Sequence, residues 1–175
     1  MFPPPQTPIM SRSMSAREPC RKGETRLKTN TKYFGEIEYD EEEVLTFPKG
    51  LFGFEGEQRF LLLPFSGNGT LFSLQSLTTS DLAFVVMDPF SLSGDYAPDV
   101  PDGELASIGM EEGDPLSVYT LCVVRNPVAE STVNLKCPVV INNAKQLAVQ
   151  VILDEGGYGM RHKLAEFEKQ EEKPC

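Results

Sequence analysis

Residues 33–65 read YFGEIEYDEEEVLTFPKGLFGFEGEQRFLLLPF, and residues 71–90 read LFSLQSLTTSDLAFVVMDPF. Short apolar runs rich in Val, Ile, Leu, Phe and Thr are split by Gly and Pro turns. The apolar period is two, not 3.6, which is the signature of a pleated, half-buried strand. The same pattern predicts strands at Tyr33–Tyr39, Glu43–Phe47, Arg59–Phe65, Leu71–Leu77, Ala83–Met87, Ser117–Val124, Thr132–Ile141 and Leu147–Leu153. Gly67-Asn68-Gly69 and Asn142-Asn143 offer the positive φ that tight hairpins need. About eight short strands with turn signals between them predict an all-β domain, either a small antiparallel β-barrel or a compact sandwich. One short helix is expected at Asp102–Gly109, capped by Asp102 and stopped by Gly109.

Outward from this core the composition changes. Residues 1–31 are rich in Pro, Ser, Thr, Arg and Lys without an apolar period, and are expected to be a disordered basic extension. The domain is expected over residues 32–165, followed by a charged tail over residues 166–175. No apolar run reaches the roughly 18 residues of a membrane span, and the N-terminus shows no signal-peptide core. A cytoplasmic location and no membrane contact are the resulting expectations.

The net charge of −10 is unevenly divided. Residues 1–32 hold seven Lys/Arg against two Asp/Glu, and the remainder holds nine against 24. An acidic body repels phosphates, so no direct nucleic-acid binding is expected of it, whereas a basic partner is attracted. Cys20, Cys122, Cys137 and Cys175 have no metal-pair spacing; Cys122 and Cys137 are expected to be buried free thiols.

Chemistry has few candidates. His162 is the sole histidine, and no nucleophile or orienting group can be placed beside it. Glu38–Glu43 lacks the Gly-punctuated spacing of a calcium loop, and Gly156-Gly157-Tyr158-Gly159 fits no phosphate-binding pattern. No catalytic, metal or cofactor residue is predicted. Leu51, Phe52 and Phe54 are large side chains in a Gly-interrupted connection, expected to fold back and plug the barrel end. Phe34, Leu74, Phe84 and Val139 are expected in the core.

The series Tyr33–Glu38 (YFGEIE), Thr46–Glu55 (TFPKGLFGFE), Arg59–Pro64, Leu74–Ser76 (LQS), Asp81–Pro89, Val133–Asn142 and Tyr158–His162 resembles the bacterial flagellar assembly factor FliW family, in order and spacing. The resemblance covers Tyr33 to about Leu164 and implies a β-barrel without enzymatic activity or cofactor, acting as a monomer in the cytoplasm. It also implies two protein partners. One is flagellin, bound near its C-terminal end; the other is the translational regulator CsrA, which the family antagonises so that flagellin level is coupled to flagellin translation. The resemblance and the strand ends together suggest Gln75, Ser76, Asp88, Phe90, Asp95, Tyr96, Tyr158, Arg161 and His162 as partner contacts. Ser73 departs from the family pattern, which carries an aromatic residue there. The alternative is a small-ligand or enzymatic barrel with Arg161 and His162 at its mouth.

Overall fold

A computed structural model describes residues 26–65 and 69–171, with side chains as far as Phe167. Strands β1 (Leu27–Thr31) and β2 (Gly35–Tyr39) form a separate antiparallel hairpin. The main sheet contains β3 (Leu45–Thr46), β4 (Arg59–Pro64), β5 (Leu71–Ser76), β6 (Ala83–Met87) and β7 (Leu116–Val123). It continues with β8 (Thr132–Val133), β9 (Val139–Asn142), β10 (Leu147–Gln150) and β11 (His162–Lys163). Two helices, α1 (Asp102–Ser107) and α2 (Leu164–Glu171), complete the described elements.

The sheet closes on itself. Neighbours run β7-β6-β5-β4-β3-β10-β9, and β9 pairs back onto β7, giving a ring of seven strands. Every pairing is antiparallel except β3 with β10, which is parallel at Leu147↔Thr46. Beyond the ring, β8 and then β11 extend from the far half of β7 as a ledge. Closure removes most exposed strand edges. It also buries both faces: Phe60, Leu74, Val86, Val139, Ile141 and Ala148 cluster on one, Met87, Val118, Cys122, Val140 and Val149 on the other. A ring this small is filled by its own side chains.

Several expectations are corrected. The segment ending at Thr31 was expected to lack structure, but Leu27–Thr31 is a strand. Its polar sequence hides the reason, which lies in its turn. Thr31 Oγ1 donates to Gly35 O at 2.8 Å and accepts from Phe34 N at 2.9 Å, with Gly35 at φ +68°. Tyr33 and Phe34 belong to that turn rather than to a strand. Phe34 is half-exposed against Phe65, not core, whereas Leu74 and Val139 are fully buried. Glu41–Glu43 is a 3-10 turn, so the strand expected from Glu43 begins at Leu45.

The expected strand Thr132–Ile141 is two strands. From Val133 to Val139 the chain advances six residues while β7 advances only three, between Cys122 and Tyr119. Asn134 N still donates to Leu121 O at 2.9 Å, but residues 135–138 leave the β7 ladder. Gly159 O accepts from Leu135 N and Lys136 N, both at 3.1 Å, and Asn134 Oδ1 accepts from Cys137 N at 3.0 Å. Pro138 has no N–H to offer a ladder. The charged tail expected from Glu166 starts as part of α2, because Leu164 and Phe167 share a helix face and pack on the core. At α1 the N-cap position falls to Pro101, with Asp102 in the first turn. The β9–β10 turn takes its positive φ at Gln146 (φ 54°), not at Asn142 or Asn143. Leu51 is buried as expected of a plug, but Phe52 is half-exposed and Phe54 lies against Phe84, ring centroids 5.0 Å apart. Residues 1–25 and the tip Gly67-Asn68 lie outside the described residues.

Candidate protein-binding site

The nine suggested contact residues fall into three places. Gln75 and Ser76 sit at one end of β5, and Asp88 follows β6 at the opposite end of the β5–β6 pair. Leu71 pairs with Met87 and Gln75 with Ala83, so at least about 13 Å of sheet separates the two groups, at roughly 3.3 Å per residue. Arg161 and His162 lie on the β11 ledge.

Gln75 is fully buried and all its polar atoms are engaged. Its Oε1 accepts from Lys32 N at 2.9 Å; its Nε2 is within donor reach of Ser76 O, Ser80 O and Leu82 O at 3.0, 2.9 and 3.2 Å. Gln75 therefore fastens the β1–β2 hairpin to the barrel. Ser76, also buried, donates to the Glu57 carboxylate and accepts from Thr78 N and Thr79 N at 3.0 and 2.9 Å. Gln75→Leu is expected to leave buried donors and acceptors orphaned, at about 1–3 kcal/mol in unfolding free energy. Amide exchange over residues 27–39 should accelerate more than elsewhere, and unchanged exchange there would contradict the fastening role.

At the other end three rings form a continuous cluster of edge-to-face and tilted contacts. Asp88 Oδ1 accepts from Phe90 N at 2.9 Å, opening the 3-10 turn Pro89–Ser91 and holding Phe90 outward, 45% exposed. The Phe90 ring lies 5.7 Å from Tyr96, and Tyr96 lies 4.8 Å from Tyr158. Tyr96 is buried, its hydroxyl donating to Leu135 O at 2.9 Å, and the Tyr158 hydroxyl accepts from Ala97 N at 3.0 Å. Asp95 beside it points to solvent. Asp88, Phe90, Asp95, Tyr96 and Tyr158 are thus brought together, with Phe90 and Asp95 as the outward-facing members. Leu116 and Tyr119 border a groove with Asp88 and Phe90; they stand three positions apart on β7 and so have opposite parity, which strand alternation alone does not bring together.

Burial pushes the Tyr96 phenol well above its ordinary range, helped by the nearby Tyr158, and burial likewise raises Tyr119. Below pH 10 folded and unfolded chains both keep these protons and the burial stabilises fully. Above it the unfolded chain releases protons that the folded chain retains, so stability falls as pH rises. Unfolding free energies measured from pH 8 to 11 should decline, and Tyr96→Phe should decline less steeply. Equal slopes for the two proteins would contradict the burial of a proton at Tyr96.

His162 Nε2 accepts from Gly159 N at 2.8 Å, and Nδ1 lies 3.6 Å from Glu166 on α2. The imidazole therefore braces the turn into β11. Arg161 points away from it, on the opposite face of the ledge, into a groove with Leu121, Val123, Met160 and Lys163. Among the described residues no cluster of three His, Cys, Asp or Glu side chains could hold a metal, and no helix is long and apolar enough to cross a membrane. Cys122 and Cys137 are buried free thiols, each raised by burial.

Fold and site together define a small closed β-barrel whose outer surface carries the candidate contact groups. The family model described as FliW protein matches residues 28–164. The chain is 40% identical over 134 residues to the flagellar assembly factor FliW of Exiguobacterium sp. strain AT1b, covering 77% of this chain and 92% of that one. It is 37% identical over 128 residues to the flagellar assembly factor FliW of Bacillus licheniformis, covering 73% and 90% respectively. A crystal structure of the flagellar assembly factor FliW superposes with a TM-score of 0.74 at 34% identity, covering 79% of this chain and 96% of that one. The chain belongs to the FliW family.

Proposed function

We propose that this chain is a cytoplasmic flagellar assembly factor that acts by binding proteins and performs no catalysis. It binds flagellin through the flagellin C-terminal region and antagonises the translational regulator CsrA, so that flagellin level sets flagellin translation. The observation that carries this reading is the FliW match over residues 28–164, which spans the whole barrel and its ledge. Two physical features support it. The acidic body favours encounter with a basic RNA-binding protein, and Phe90 offers an exposed aromatic anchor of the kind that dominates protein interfaces.

The test mixes purified chain, flagellin and CsrA in pairs and then together, followed by size-exclusion chromatography. Each pair is expected to co-elute, and flagellin is expected to displace CsrA. The CsrA complex should weaken with added salt, as electrostatically steered association does. Phe90→Ala should weaken at least one complex by about tenfold while the fold persists. Failure of both pairs to form at low salt would overturn the reading.

A further inference from the structure

The ledge of β7, β8 and β11 has two unlike faces. Strand alternation puts Cys122, Val133 and His162 on one, where Leu164 and Phe167 of α2 cover them. The other carries Leu121, Val123, Thr132, Asn134, Arg161 and Lys163; Leu121 is partly buried against the barrel core, whereas Val123, Arg161 and Lys163 are exposed. A groove of about 500 Å³ runs along this face. Its floor is apolar: Val123, the last residue of β7, and Met160, in the bend before β11, are each 53% exposed.

The rim has the opposite sign from the body. Arg125, Arg161 and Lys163 line it against Glu130 alone, and Lys163 takes that carboxylate at 3.3 Å. Neither Arg125 nor Arg161 has a carboxylate within 4.0 Å among the described residues. Elsewhere Arg26, Lys28, Lys49, Arg59 and Lys145 each face a carboxylate, while Lys32 lies over the Tyr33 ring and Lys136 has no carboxylate within 4.0 Å among the described residues. Two unpaired guanidiniums over an apolar floor, on a chain of net charge −10, mark a local charge reversal.

We propose that this face of the ledge is a docking surface for an acidic peptide segment of a partner protein. The segment seats an aliphatic side chain on Val123 and Met160 and sets carboxylates against Arg125 and Arg161, whose planar forks suit bidentate pairing. The chain's own N-terminal extension, with seven Lys/Arg against two Asp/Glu in residues 1–32, carries the wrong sign to fill it. The outer edge of β11 has no strand partner among the described residues, so an extended segment can also add main-chain hydrogen bonds there. The inference does not rest on the identity of the partners proposed above and survives if those are wrong.

The test pans a phage-displayed random dodecapeptide library against the full-length chain. Selected peptides are expected to combine Asp or Glu with an aliphatic residue. Their binding should fall by about tenfold or more in the Arg125→Glu/Arg161→Glu protein, drop with salt, and be retained by Arg125→Lys/Arg161→Lys. Circular dichroism and thermal melts of the variants check that the barrel is intact. Selection of no peptides or of basic ones, or binding indifferent to the charge reversal, overturns the proposal. So does competition by a poly-uridine RNA, or a self-association of the wild-type chain that charge reversal abolishes.

Discussion

Phe60→Ala lowers the unfolding free energy by about 3–5 kcal/mol, the range for truncating a fully buried phenylalanine. Phe60 has no exposed surface, and its ring sits 5.1 Å from Phe47 and 6.3 Å from Phe84, which in turn meets Phe54 at 5.0 Å. It also stands in register between Leu45 on β3 and Ser76 on β5, so the cavity opens across three strands of the ring. A closed ring cannot collapse one side to fill such a hole without disturbing its register. Urea unfolding monitored by circular dichroism measures the loss, and a change below about 1 kcal/mol would contradict a packed barrel.

Gly50→Ala is the second large effect, and its cause is backbone rather than packing. Gly50 sits at φ +67°, and a Cβ there would lie 2.6 Å from Glu55 Cα and 2.7 Å from the carbonyl oxygens of Glu55 and Phe54. Those atoms are held by the Leu51↔Phe54 bridge and by Phe54 N donating to Leu51 O at 2.8 Å, so they cannot yield. Gly53 supplies the control. It sits at φ +84° with nothing within 4 Å of its Cβ position. Gly53→Ala should cost about 1–2 kcal/mol for the left-handed conformation alone. Gly50→Ala should cost clearly more and detach Phe52 N from Gln150 Oε1, a 3.0 Å bond that ties the turn to β10. Equal losses in the two variants would contradict the close approach.

The sequence made the ring legible because its strands obey period two and its turns carry Gly and Pro. Ala83–Met87 is found where the pattern puts it, and Arg59–Pro64, Leu71–Ser76 and Leu116–Val123 fall within a residue or so of it. What failed had a physical reason in each case. Leu27–Thr31 pairs through its backbone and a threonine-bound turn, so hydrophobicity does not mark it. The break after Val133 is set by Gly159 O, a tertiary acceptor 24 residues or so along the chain that no local pattern reveals. The parallel contact of β3 with β10 closes the barrel through one register pair, beyond the reach of hairpin logic.

The candidate site was legible only in part. Asp88, Phe90, Asp95, Tyr96 and Tyr158 do converge, because the rings of Tyr96 and Tyr158 meet at a tilt across segments 62 residues apart. The LQS motif gave no hint that Gln75 and Ser76 face inward, since polar side chains at a strand end ordinarily face water. Buried hydrogen bonds to Lys32 N and to the Glu57 carboxylate reverse that expectation. The groove residues Val123, Arg125, Met160 and Lys163 were readable only once β8 and β11 were known to lie beside β7.

Affinity capture by the full-length chain from a lysate of a flagellated bacterium, with mass spectrometry of the retained proteins, tests the central claim most directly. Specific retention of flagellin or CsrA, weakened for at least one of them by Phe90→Ala, is the expected result. Recovery of neither protein at low and moderate salt would contradict a barrel that works by occupying other polypeptides.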